Sequence, residues 1–325
     1  MPLMLNRSEV ASVLTMKDCI EVVEKAFAEL AEGTAALPMR LGIPAPRGLS
    51  LYMPAFLKQA DALACKVVTV FKENPSRFNL PTILGTVLLQ SPQTGEVLCI
   101  MDGVHLTAVR TGAASGVATR HLARRDRAQT AGLLGAGVQA RMQLWAVCEV
   151  RDIRRALVYD VSAEAARKLA NEMGTKLNLE VVPVSTAEEV LAADILCAAS
   201  TSAEPLFDGR RAREGTHVDG VGSHTPSARE LDTALIRRAL LVGDSREACF
   251  AESGDIIIPL KEGAITRDHF HAELGEIVTG KKPARTDERQ ITVFKSNGLA
   301  IQDAAAARLV YDRAVAAGIG TRLEL

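Results

Sequence analysis

The sequence predicts an α/β fold class in two parts, a doubly wound parallel sheet and an α+β domain. Three observations predict it. The chain has 325 residues, more than a single hydrophobic core usually organises. From residue 128 onward, short apolar β-rich runs alternate with stretches of helical periodicity, the pattern of βαβ units. Ahead of that point, neighbouring apolar runs joined by a tight turn indicate antiparallel pairing.

The elements follow in order. Residues 8–32 place Val10, Val13, Leu14, Ile20, Val23, Ala26, Phe27 and Leu30 at helical spacing, and Gly33 stops the helix. A Pro/Gly-rich stretch, Leu37–Pro54, comes next. Ala62–Phe71 and Thr82–Gln90 read as strands, and the turn Ser91-Pro92-Gln93-Thr94-Gly95 joins the second to Val97–Asp102. Leu106–Ala123 carries small residues spaced for close helix packing and leads into the polar linker Arg124-Arg125-Asp126-Arg127. Strands are then expected at Ala128–Leu134, Ala156–Tyr159, Glu180–Val184, Ile195–Ala199, His217–Val221, Leu240–Gly243 and Ile291–Phe294. Helices are expected at Gln139–Val150 and Ala163–Met173 among them. The alanine-rich Leu299–Ala317 is a last helix, ended by Gly318 and Gly320, that can pack back on the first domain.

Composition narrows the function classes. A formal net charge of −1 without long blocks of either sign gives no reason to expect nucleic acid or an anionic membrane as partner. The six cysteines (Cys19, Cys65, Cys99, Cys148, Cys197, Cys249) are scattered and form no C-x-x-C pair, so they read as reduced core thiols. No metal site is expected. Charges reach the first residues before any long apolar stretch, so neither a signal-peptide core nor a membrane span is expected, and the cytoplasm is the expected compartment.

The richest motif is Leu134-Gly135-Ala136-Gly137-Val138-Gln139-Ala140, a G-x-G-x-x-A turn between a strand and a helix. Gly135 lets the chain turn off the strand, Gly137 lets the backbone approach a pyrophosphate, and Ala140 lets the helix pack on the sheet. The pyrophosphate then lies at the helix N-terminus, where unpaired N–H groups and the dipole favour an anion. Asp160 ends the second strand, where a carboxylate accepts from both adenosine ribose hydroxyls and repels a 2′-phosphate. The part from residue 121 is therefore a Rossmann domain, with NAD(H) favoured and NADP(H) kept possible by the nearby Ser162 and Arg167.

Several further stretches, Pro38-Met39-Arg40, Lys66-Val67-Val68-Thr69-Val70, Ala108-Val109-Arg110-Thr111-Gly112-Ala113, Glu273-Leu274-Gly275-Glu276-Ile277 and Phe294-Lys295-Ser296-Asn297-Gly298, join this motif. Together they resemble the ornithine cyclodeaminase/mu-crystallin family over nearly the whole chain. The resemblance implies a substrate-binding and dimerisation domain, 1–120 with 300–325, and a Rossmann NAD(P)-binding domain, 121–299, with the active site in the cleft. It also implies a homodimer and a small imino or amino acid substrate.

Arg40, Lys66 and Arg110 are each a cation in an apolar or small-residue stretch, suited to hold a carboxylate. The resemblance places the matching positions in the substrate carboxylate pocket. Lys66 is also the candidate proton donor to an imine nitrogen. Thr111 reads either as a cofactor-phosphate contact or as a helix threonine bonded to its own backbone. Ser200 and Thr201 follow the fourth strand, where the nicotinamide half is expected, and Val138, Gln139, Val221, Gly222, Lys295 and Gly298 complete the candidate cofactor set. Ser223, placed with Lys66 in the catalytic set, discriminates within the family. The cyclodeaminases and the alanine dehydrogenase look to carry an aspartate acid/base there, and the ketimine reductases a serine. His224 reads as a substitute acid/base or a loop residue, and Asp219 as satisfying nearby backbone or a cation. The expectation is NAD(P)H-dependent reduction of a ketimine, such as Δ1-pyrroline-2-carboxylate or Δ1-piperideine-2-carboxylate, to the L-amino acid. Ornithine cyclodeamination, alanine dehydrogenase-like chemistry and a non-catalytic binding role are the alternatives.

Overall fold

The computed structural model describes residues 1–125 and 129–324. The chain forms two compact units, Met1–Arg110 with Leu299–Leu325, and Thr111–Gly298. The first division falls inside the unbroken helix Gly103–Leu122, ahead of the boundary at 120 that composition suggested. A polar linker marks where a helix ends, and here the helix itself continues from one unit into the other. Of that linker, Asp126 and Arg127 lie outside the described residues, as does Ala128, the expected start of the next strand.

In the first unit an eight-stranded sheet runs in the order Thr321–Arg322, Leu3–Leu5, Val97–Asp102, Ile83–Gln90, Ala62–Val70, Gly48–Leu57, Ala35–Ala36, with Leu41–Ala45 also on Gly48–Leu57. All pairs are antiparallel except Leu3–Leu5 with Val97–Asp102. The hairpin Leu41–Ala45/Gly48–Leu57 occupies the stretch whose prolines and glycines hid it. Pro44 is tolerated because Leu41–Ala45 pairs on one side only and has no second ladder to supply.

The expected helix over 8–32 is two helices, Arg7–Val13 and Met16–Glu32. Leu14 is extended and Thr15 caps the second, its hydroxyl accepting from the Asp18 amide at 3.3 Å. Apolar periodicity runs through the break because both helices turn their apolar sides to one core. The helix Ala300–Ala317 packs on Met16–Glu32 and on the strands Ala62–Val70 and Gly48–Leu57, as anticipated. Its alanines keep its backbone close to the sheet.

The second unit is an eight-stranded, wholly parallel sheet ordered Glu180–Pro183, Arg155–Tyr159, Thr130–Leu134, Ile195–Ala198, His217–Gly220, Ile291–Lys295, Ala239–Gly243, Phe270–Glu273. Its strands bury both faces: Leu196 and Ala198 join one apolar cluster, Ile195 and Cys197 the other. The order reverses between Thr130–Leu134 and Ile195–Ala198, where a doubly wound sheet opens a crevice at the carboxyl ends of its strands. All six cysteines are free thiols, and burial pushes those of Cys19, Cys99 and Cys148 up to about 12. No helix among the described residues is long and apolar enough to cross a membrane.

Glu29 ties the first unit together. It is 2% exposed, and its carboxylate accepts from the backbone amides of Gln59 and Ala60, each at 2.9 Å. Glu29→Ala removes the partner of two part-buried N–H donors, and a loss of about 1 kcal/mol is expected in denaturant unfolding.

Candidate active site

Strand alternation places Lys66 on the same face as the buried Ala62 and Ala64, the side covered by the helix Ala300–Ala317. The residue is 1% exposed. Its ammonium forms an ion pair with Asp303 Oδ2 at 2.8 Å. Arg110, 4% exposed in the helix Gly103–Leu122, donates from Nε to Asp303 Oδ1 at 2.8 Å and from Nη1 to Gln302 Oε1 at 2.6 Å. One carboxylate thus bridges two buried cations. Burial pulls the Lys66 ammonium down to about 8; the Arg110 charge adds to this, and Asp303 opposes it. Arg40, half-exposed just ahead of the strand Leu41–Ala45, is near enough to repel Lys66 as well.

In the second unit a cleft of about 390 Å³ lies where the strand order reverses. The turn Gly135–Gly137, the strand end Tyr159–Val161 and the segment Ala199–Ser202 line it. Gly135 has φ +106°, and a Cβ there would meet the Ala199 carbonyl at 2.6 Å. At Gly137 a Cβ would meet nothing within 4 Å, and the helix Val138–Val150 that it caps receives no side-chain cap. Open space facing uncapped amides fits an anion such as a dinucleotide pyrophosphate. The Asp160 carboxylate accepts from the Ala136 and Ser162 amides at 2.7 and 2.8 Å, and each oxygen keeps a lone pair for a ribose hydroxyl. A bare G-x-G-x-x-A turn would be weaker evidence than a turn with this acid beside it.

A profile of the ornithine cyclodeaminase/mu-crystallin family matches residues 1–318. The chain belongs to that family. The Δ1-pyrroline-2-carboxylate reductase of Bacillus cereus is 37% identical to it over 326 residues, 99% of each chain. The ketimine reductase mu-crystallin of Mus musculus is 38% identical over 288 residues, 88% of each. Among solved structures, Thermococcus litoralis Δ1-pyrroline-2-carboxylate reductase, in complex with NADH and L-proline, superposes with a TM-score of 0.95 at 50% identity, covering 99% of this chain and all of that one.

Within this family fold the expected residues divide into three groups. Gly135, Gly137, Asp160, Ser200 and Thr201 meet in the one cleft, and Lys66 and Arg110 meet at Asp303. Val138 is exposed beside the turn, whereas Gln139 turns its side-chain oxygen inward, buried without a hydrogen-bond partner. Thr111 is buried, and its carbonyl accepts from Gln143 at 3.5 Å. Val221 and Gly222 bond back into the sheet through their amides to the Ala198 carbonyl, at 2.9 and 3.3 Å.

Four positions are engaged within the protein itself. Lys295 is fully buried, its ammonium 2.9 Å from Asp255 and donating to the Ser223 carbonyl at 2.6 Å. Gly298 turns its amide to Asp244 at 2.7 Å. Ser223 is 3% exposed and donates its hydroxyl to the Ala228 carbonyl, which leaves no proton on that oxygen for chemistry. Asp219 accepts from the Thr119 hydroxyl at 3.0 Å and lies 3.4 Å from the His217 ring.

Sequence reasoning missed Gln302, Asp303 and Glu230. Gln302-Asp303 are the polar pair within Ala300–Ala307, and polar residues in so apolar a run must be buried with partners, a signal that was readable. Glu230 had none, since it sits in a polar segment. It is fully buried and accepts from the Ser200 amide and hydroxyl, both at 2.7 Å, and from the Gly222 amide at 2.6 Å, so it shapes the cleft wall from behind. Burial raises its carboxyl above the usual range.

The two turn glycines separate folding from binding. Gly137→Ala is expected to leave Tm unchanged and weaken NADH, read by fluorescence titration, roughly tenfold or more, because its Cβ fills the anion space. Gly135→Ala is expected to lower both, as strain of about 1–3 kcal/mol accompanies a side chain at that φ.

Proposed function

We propose that this protein is an NADH-dependent reductase of cyclic 2-imino carboxylates, converting Δ1-pyrroline-2-carboxylate or Δ1-piperideine-2-carboxylate to the L-amino acid. The observation that carries the reading is the buried pair of cations on Asp303. Among the described residues Asp303 is the carboxylate paired with Lys66 and Arg110, whose charges exceed its own by one, and a substrate carboxylate supplies the missing anion. The relatives named as Δ1-pyrroline-2-carboxylate and ketimine reductases support the substrate class.

The roles divide as follows. Arg110, already oriented by Asp303 and Gln302, receives the substrate carboxylate with Lys66, and Arg40 stands at the outer side of this clamp. When bound, the nicotinamide cofactor supplies a hydride to the imine carbon. Lys66 gives the proton to the imine nitrogen, a task suited to an ammonium that burial brings to about 8. Gly135, Gly137 and Asp160 hold the dinucleotide, and the Asp160 carboxylate favours NADH by repelling a 2′-phosphate. The Ser223 hydroxyl, given to the Ala228 carbonyl, offers no acid/base for expelling ammonia or adding water, which argues against cyclodeamination. Met39, Leu41, Ile43, Phe78, Leu80 and Ile83 are exposed apolar residues of the first unit, which a second copy would cover in the homodimer we infer. Six free thiols suit a reducing cytoplasm.

The test is oxidation of NADH and NADPH with Δ1-pyrroline-2-carboxylate, beside L-ornithine with catalytic NAD and pyruvate with ammonia. Expected are fast oxidation with a preference for NADH, L-proline as product, and no ammonia from ornithine. Proline and ammonia from ornithine without net NADH change would overturn the reading. A pH series adds the proton donor: kcat/KM for imine reduction is expected to fall as pH rises through about 8, where Lys66 loses its proton, and L-proline oxidation to rise over the same interval.

A further inference from the structure

The polar pair Gln302-Asp303 has no assigned part in this chemistry, yet it is the most completely buried polar cluster in the first unit. Asp303 is 1% exposed, Gln302 is fully buried, and both belong to the first turns of the helix Ala300–Ala317. The carboxylate divides its oxygens, Oδ2 to Lys66 and Oδ1 to Arg110, each at 2.8 Å. Gln302 adds its side-chain oxygen to Arg110 at 2.6 Å. Among the described residues, the ionisable groups that act on Lys66 are Arg110, Asp303 and Arg40, and Asp303 is the acid of the three.

We propose that Asp303 is a positioning residue that keeps Lys66 protonated and fixes Arg110 for the substrate carboxylate, with Gln302 completing the Arg110 orientation. The proposal rests on the reductase reading for its kinetic consequence, but its physical content is independent of it. Two cations buried side by side cannot both stay charged without an anion between them, and the guanidinium cannot yield its proton, so the ammonium does. Removing the carboxylate charge at 303 makes Lys66 neutral at a pH where it is now charged.

Two readouts follow from Asp303→Asn, which keeps the side-chain shape. The alkaline fall of kcat/KM moves to lower pH by about one unit or more, so that activity relative to the unaltered protein drops about fourfold or more between pH 6.5 and 8. The second readout needs no activity. In the unaltered protein the folded-state pKa of Lys66 is about 8, below its unfolded value, so the stability this group adds is present at high pH and already gone below 8. With that pKa lowered further in Asp303→Asn, the loss extends downward, and the Tm deficit of the variant widens as pH falls from 8 to 6.5. Adding Lys66→Met removes the titrating group and flattens that deficit. Asp303→Glu, which restores the charge, returns the pH limb towards its original position and serves if the asparagine variant folds poorly.

A uniform loss of Tm and of activity with the pH limb unmoved, or an Asp303→Glu limb displaced as far as that of Asp303→Asn, overturns the proposal. An unaltered protein that oxidises no NADH with any cyclic ketimine overturns the reductase reading instead, and the Tm series still decides the role of Asp303.

Discussion

Burying an ammonium and a guanidinium in the same core is the constraint on which the first unit is organised. Either charge left unpaired in that environment would cost several kcal/mol. The anion that makes it possible comes from Asp303, nearly two hundred positions after Arg110 in the chain, as the 193-residue separation of that hydrogen bond records. The helix Ala300–Ala317 must therefore return to the strand Ala62–Val70, and its alanines serve that need. Small side chains bring the helix backbone close to the sheet, so a short aspartate reaches both cations. Packing and electrostatics here require each other.

The second unit solves a different problem with the same chemical means. Its loops must hold open a cleft at the carboxyl ends of parallel strands, and loop backbone carries N–H groups that no strand satisfies. Buried carboxylates take them up: Glu230 for Ser200, Gly222 and Ser223, Asp244 for Ser245, Asn297 and Gly298, Asp255 for Glu230 and Leu231. Lys295 balances part of that charge through its ion pair with Asp255. Burial raises the carboxyls of Glu230 and Asp244, and the amides bonded to them work the other way. Lys295 and Ser223, which look like site chemistry in the sequence, also bond into this scaffold.

The two units thus carry separable tasks. One gathers two buried cations on a single carboxylate, and the other lines an open cleft with free amides and one acid. In the reading we propose, position 223 offers no acid and Lys66 supplies the proton for imine reduction. The chemistry that remains is simple because the C=N bond enters already formed.

What could be read from the sequence was whatever depends on neighbours in the chain. The alternation of strands and helices after residue 128, the turn at Gly135 and Gly137, Asp160 at the next strand end, and the apolar settings of Lys66 and Arg110 are all local, and periodicity or backbone sterics suffices to interpret them. Where local signals conflicted, as with Pro44 in Leu41–Ala45 or the cap at Thr15, element boundaries moved. The partners of the buried charges were out of reach, because a carboxylate finds its cation through folding and not through spacing. Glu230 and a surface glutamate look alike in a sequence, and only the tertiary structure, by removing water from one of them, decides that its oxygens must bond the backbone. The family and the chemistry were legible in the chain; which carboxylate pairs with the two buried cations was decided by the fold.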